Sequence, residues 1–175
     1  MEVTVFRHRD PVRVARTLLA MYALALVWVL FLQRAETALL LREDHAAAVR
    51  LNLLPFATID RYLLAIRAGQ VLQIAYLNLV GNLVLFMPMG ALLPLCWKMF
   101  HQPWRFLLLM AGLLPAVEAL QLILRCGCCD VDDVILNLFG AVLAYAIVMA
   151  VRKALRKQNR AAAEQSADRE STDCA

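Results

Sequence analysis

Histidine is scarce in this chain. The three present, His8, His45 and His101, stand far apart and in no spacing that would gather a metal ion, so each reads as surface histidine. The chain also lacks the glycine-rich loop of nucleotide-binding proteins, the two-histidine helix of metalloproteases and the strained serine turn of hydrolases, so the chemistries those motifs carry are excluded. Of five cysteines, Cys126, Cys128 and Cys129 are too cramped to ligate one metal, and no fourth ligand stands near them. The same crowding makes a disulfide within the trio awkward, leaving free thiols or pairing with another chain. No metal and no cofactor is expected.

What the sequence has in abundance is apolar residues. They make up 62% of the 175 residues, where soluble domains sit nearer half. They fall into long runs, the signature of membrane spans rather than of one large soluble core. The formal net charge of +4 does not point to nucleic acid, because the basic residues flank apolar runs instead of lining a polar domain. Membrane lipid, with its anionic headgroups, is the natural partner for such charge.

Four runs are long enough to cross about 30 Å of hydrocarbon at 1.5 Å per residue. They cover residues 14–33, 76–97, 104–125 and 133–151. The first follows Arg7, Arg9, Arg13 and Arg16, as a signal peptide would. It is longer than a signal core, however, and no clear small-x-small cleavage site follows, so it reads as an uncleaved span. The second contains Pro88, Gly90 and Pro94, which membrane helices tolerate. Its ends carry Tyr76 and Trp97, and Trp104 opens the third, as interfacial anchors.

The expected fold is therefore all-α: a polytopic bundle of four transmembrane helices in one membrane domain, 14–151. A basic head, 1–13, precedes it, and a tail, 152–175, begins basic and ends disordered. Residues 51–69 in the first loop alternate apolar and charged positions at helical spacing and should form an interfacial helix. The "LNLLPF" before it sets a turn, because Pro55 biases Leu54 toward extended backbone. Lys and Arg near the span ends favour cytoplasmic N- and C-termini, although the long first loop, with five arginines of its own, runs against this count.

Polar residues intrude on three spans. Counting from the span ends, Asn82, Glu118 and Asn137 each lie roughly 8–10 Å deep, and the alternation of spans puts all three at one membrane face. Asn78 and Asn82 stand at i, i+4; Glu118 and Gln121 at i, i+3; Asp130, Asp133 and Asn137 at i, i+3, i+7, so each set forms one helix stripe. An ionised group in hydrocarbon costs about 2.5–3.5 kcal/mol even on a lenient scale, so these stripes should face inward and line one polar pocket, on the outer face if the termini are cytoplasmic. The alternative is interhelical glue, worth about 1 kcal/mol per hydrogen bond. Glu118 tips the balance toward a site, since intramembrane acids mark function. Gly81, Gly90, Gly112 and Gly140 suit close helix approach.

The segments "LNLLPF", "NLVGNLVLFMPMG", "EALQ" and "DVDDVILNLFGA", in that order, resemble the signatures of VanZ-like bacterial membrane proteins, whose founding member is associated with resistance to the glycopeptide teicoplanin. The likeness covers about Leu51 to Ala146. It maps the family pattern onto Asn52, Pro55, Phe56, Asn78, Asn82, Phe86, Pro88, Gly90, Glu118, Gln121, Asp130, Asp133, Asn137 and Gly140. It implies a cell-envelope setting in the bacterial inner membrane and carries no reaction with it.

Three functions fit these residues. The first is a non-catalytic envelope protein whose outward pocket binds a lipid, a glycan or an amphiphilic antibiotic such as a glycopeptide. The second is a membrane enzyme acting on a lipid-linked headgroup, with Glu118 as general acid or base and Asp130 and Asp133 holding a divalent cation against phosphate. The third is a small proton- or cation-coupled carrier with Glu118 as the ion site, which at four spans would work as a homodimer. The first ranks highest.

Overall fold

The computed structural model describes residues 10–32, 51–69, 72–124 and 129–173. Residues 1–9 of the expected head and most of the first loop lie outside them, as do Cys126, Cys128 and Cys174. The architecture is an all-α bundle with four helices long and apolar enough to cross a membrane. Only 17–33% of each span's central window is buried within the protein. Large apolar side chains face outward instead, with Leu24, Leu77 and Ile123 more than 70% exposed. A water-soluble protein would not present four such faces, whereas hydrocarbon solvates them at no cost.

Helix α1 runs Pro11–Val27, opening on a proline whose missing N–H is no loss at that position, and continues as a π turn over Trp28–Leu32. A two-residue strand, β1 (Leu51–Asn52), leads into a turn through Pro55 and then α2 (Ala57–Arg67). The third helix, α3, is Leu72–Leu85, and α4 is Met87–Cys96. A short 3₁₀ turn at Lys98–His101 leads to α5, Pro103–Ile123. Strand β2 (Cys129–Asp130) pairs in parallel with β1, Leu51 opposite Cys129 and Asn52 opposite Asp130. This bridge is the one departure from helix pairing among the described residues. The last helix, α6, is Val131–Asp173.

Two elements differ from the sequence reading. The second span is broken at Phe86, between α3 and α4, instead of continuous over 76–97. Pro88 cannot donate to the carbonyl four residues back and its ring crowds that carbonyl. Tyr22 Oη of α1 donates to Leu85 O at the break, 2.7 Å away, supplying a donor where lipid has none. The fourth helix does not end near Val151, and the tail is helical to Asp173 instead of disordered. No proline or glycine follows Gly140, and Ala, Arg, Lys, Gln and Glu, all good helix formers, dominate the tail.

The core lies where α4 and α3 press on α6. A Cβ on Gly90 would stand 2.0 Å from Ala141 O, and one on Gly140 1.7 Å from Leu83 O. Only glycine permits these two approaches. Gly81 and Gly112, grouped with them on sequence grounds, face open space instead. Phe86, Phe106, Met110 and Leu114 fill the interior, and the Phe106 ring stacks on Tyr145 at 4.3 Å between centroids.

Candidate functional site

The polar residues gather where α5 ends and α6 begins. Asp130 caps α6: its Oδ1 accepts from the Asp132 N–H at 2.9 Å, as an N-cap carboxylate does. The same oxygen accepts from Asn52 Nδ2 at 3.1 Å, and Oδ2 accepts from the Thr58 hydroxyl at 2.6 Å. Asn52 also donates to Thr58 Oγ1 at 2.8 Å, so β1, α2 and the mouth of α6 form one hydrogen-bonded knot.

Asp132 completes it. The residue has no exposed surface. Its Oδ1 accepts from the Phe56 N–H at 2.5 Å, and its Oδ2 from the N–H groups of Thr58 (2.7 Å) and Ile59 (3.1 Å). These are N-terminal donors of α2, which has Phe56 at its cap position in a left-handed conformation, φ 68°, and no capping side chain of its own. The carboxylate both satisfies orphan N–H groups and meets the positive end of the helix dipole. Asp132 was absent from the predicted pocket because it falls off the 130–133–137 stripe. The readable signal was the uncapped start of α2: a helix lacking Ser, Thr, Asp or Asn at its cap needs an acceptor from elsewhere.

Glu118, on α5, is only 6% exposed. Its Oε2 accepts from the Asp130 N–H at 3.4 Å, which joins the intramembrane acid to the same knot. One turn into α6, Asp133 Oδ1 accepts a hydrogen bond from Asn82 Nδ2 of α3. One turn further, Asn137 is buried, and its Oδ1 has no hydrogen-bond partner among the described residues. Three helices and the β1–α2 segment thus bring Glu118, Asp130, Asp133, Asn82 and Asn137 to one end of the bundle.

Two predicted lining residues are engaged elsewhere. Asn78 Nδ2 donates to Tyr62 Oη at 2.5 Å and ties α3 to α2. Gln121, fully buried, donates from Nε2 to Leu30 O at 3.1 Å. It caps a carbonyl at the end of α1, a helix–helix tie of the kind the glue alternative describes. Of the pattern residues, Asn52 and Phe56 take part in the knot, Pro55 forms its turn, Phe86 and Pro88 make the break in the second span, and Gly90 and Gly140 make the two close crossings.

Cys129 and Cys96 carry free thiols. Cys129 lies beside the acids, and its pKa is raised, first by burial and then by the nearby charges of Glu118 and Asp130. It therefore remains a protonated, weakly nucleophilic thiol at neutral pH. Among the described residues no group of three or more His, Cys, Asp or Glu side chains is arranged to hold a metal ion.

No curated protein matches this chain, and no solved structure does. Residues 19–152 match the sequence profile of the VanZ/LLP1 family, a range that takes in most of the first span, the membrane part of the other three, the β1–α2 segment and every member of the acidic knot. The chain belongs to the VanZ/LLP1 family and is a multi-pass membrane protein.

Proposed function

We propose that this protein serves the bacterial cell envelope by holding the polar head of an amphiphile between the end of α5, the last turn of α3 and the start of α6. The head belongs to a lipid, a glycan or an amphiphilic antibiotic of the glycopeptide kind. The observation that carries the reading is the setting of Glu118. It is a buried carboxylate in an apolar helix, joined to the Asp130 backbone, with the Asn82–Asp133 pair and Asn137 Oδ1, which has no partner among the described residues, on successive turns of the facing helix. A buried polar atom without a partner costs about 1–3 kcal/mol, and a hydroxyl or amide from a ligand would relieve that cost.

We assign this end of the bundle to the outer face of the cytoplasmic membrane, with both termini inside. The basic side chains Arg16, His101 and Arg152 gather at the opposite end of α4, and such charge favours the cytoplasmic side. The role is binding rather than turnover, and any contribution to glycopeptide resistance follows from capture of the drug or of a lipid-linked envelope component.

The test uses purified full-length protein in neutral detergent. Thermal stabilisation is measured with teicoplanin and, separately, with a lipid-linked sugar. At least one should protect the wild type, and Glu118→Gln and Asn137→Leu should each abolish that protection while the unliganded melting temperature holds. Protection that survives in both variants, or no protection by either compound, overturns the reading.

A further inference from the structure

The end of the bundle away from the acidic knot carries the opposite charge. Arg152 Nη1 donates to Pro94 O at 2.8 Å, a His101 ring nitrogen lies 3.0 Å from the same oxygen, and Arg16 Nη2 donates to Cys96 O at 3.5 Å. These groups satisfy the last carbonyls of α4 and complement the negative end of its dipole. Arg16 also lies over the Trp97 ring, 5.7 Å from its centroid. Arg152 is thus fixed at the level where the apolar span of α6 gives way to its polar continuation.

From that level outward α6 carries Lys153, Arg156, Lys157 and Arg160. All four are exposed, and none forms an ion pair among the described residues. Lys153 and Lys157, and Arg156 and Arg160, stand at i, i+4, where like charges repel and weaken the helix. Together with Arg152, Met149 and Ala150 these side chains make one open face of the helix, with a shallow recess between them. This face contains no acid, and Met149 and Ala150 stand at its membrane end. The face is therefore amphipathic along the helix axis. It starts apolar at the hydrocarbon and is cationic from Arg152 to Arg160, over roughly 12 Å.

That order of polarity matches one class of molecule. We propose that the junction between the membrane part of α6 and its extension is a binding site for an anionic phospholipid. Its acyl chains lie along Met149 and Ala150, and its phosphate sits among Lys153, Arg156, Lys157 and Arg160. A bound phosphate removes the like-charge repulsion that the free helix bears, and the site lies at the depth where headgroups are found. It is separate from the acidic knot, at the other end of the bundle, and does not depend on what that knot binds.

The experiment is native mass spectrometry of the full-length protein in neutral detergent. Phosphatidylglycerol and phosphatidylcholine of identical chains are titrated in separate runs. Wild-type protein should bind phosphatidylglycerol at least about tenfold more tightly, each basic side chain at a headgroup contributing to the preference. Quadruple substitution, Lys153→Gln, Arg156→Gln, Lys157→Gln and Arg160→Gln, should bring the two lipids to equal affinity. The charge-retaining pair Arg156→Lys and Arg160→Lys should keep the preference. If the quadruple variant loses helicity, the pair Arg156→Gln and Arg160→Gln serves in its place and should lose most of the preference. Equal affinity of wild type for both lipids, or an undiminished preference in the glutamine variants, overturns the proposal. So does binding of soluble glycerol 3-phosphate as tight as that of phosphatidylglycerol, which would make this a site for free phosphate.

Discussion

Asp132 and Thr58 are 74 residues apart in the chain, yet the Thr58 backbone N–H donates to Asp132 Oδ2 at 2.7 Å. With the bonds from Phe56 and Ile59 to the same carboxylate, an acid in the first turn of the last span serves as the N-cap of the helix in the first loop. The interfacial helix is therefore part of the bundle, and the segment leading into it forms one wall of the acidic knot.

Removing that cap should loosen the wall. Asp132→Ala leaves three backbone N–H groups without their acceptor and should cost about 3 kcal/mol or more, since hydrogen bonds to a charged group contribute most. Asp132→Asn keeps one acceptor oxygen and should fall between. Thermal unfolding gives the order, and trypsin should cut faster at Arg61 and Arg67 in the alanine variant than in wild type.

The glycines should divide into two pairs. Gly90→Ala and Gly140→Ala drive a Cβ into the carbonyls of Ala141 and Leu83, and each should destabilise by at least about 1–3 kcal/mol, the range for overpacking. Gly81→Ala and Gly112→Ala meet open space and should be neutral or up to about 1 kcal/mol more stable, by helix propensity alone. Melting temperatures of the four variants decide this; a uniform response would mean the two crossings are placed wrongly.

Asn82 and Asn137 lie on facing helices but should respond oppositely to leucine. Asn82→Leu supplies no replacement donor for half-buried Asp133 and should cost about 1–3 kcal/mol. Asn137→Leu replaces an amide oxygen that has no partner among the described residues and should be neutral or slightly stabilising in unliganded protein, because no bond is lost and a desolvation cost is removed. Denaturation of each variant in detergent distinguishes the two.

The thiol of Cys129 should report the charge beside it. Its pKa is raised by burial and by Glu118 and Asp130, so in a variant with the other four cysteines changed to serine, maleimide labelling at pH 7 should be slow and should keep accelerating as the solution is made alkaline. Glu118→Gln removes one of the negative charges that disfavour thiolate, lowers the pKa and should speed labelling at pH 7. A rate unchanged by that substitution would separate Glu118 from Cys129.

Much of the site could be read from residue order. The depths of Asn82, Glu118 and Asn137 follow from counting residues at 1.5 Å each from a span end, and the alternation of spans then brings them to one face. The identity of each partner could not be read. Asn78 and Asn82 share a stripe by spacing, yet one bonds Tyr62 of α2 and the other Asp133 of α6. Glu118 and Gln121 likewise share a stripe, yet one reaches the Asp130 backbone and the other Leu30 of α1. Helical period says which residues stand together on a helix and is silent about which neighbour that side meets.

By itself the sequence determined the count of spans, their all-helical character and which end of the bundle the polar groups of three spans share, since helical rise and the alternation of spans act on local stretches of chain. Tertiary structure alone decided how α3, α4 and α6 turn toward one another, through the backbone contacts at Gly90 and Gly140. It also decided the docking of α2 onto the start of α6 through Asp132. Both depend on surfaces far apart in the chain fitting against each other, and a hydrogen bond between residues 74 positions apart leaves no periodic trace in the sequence.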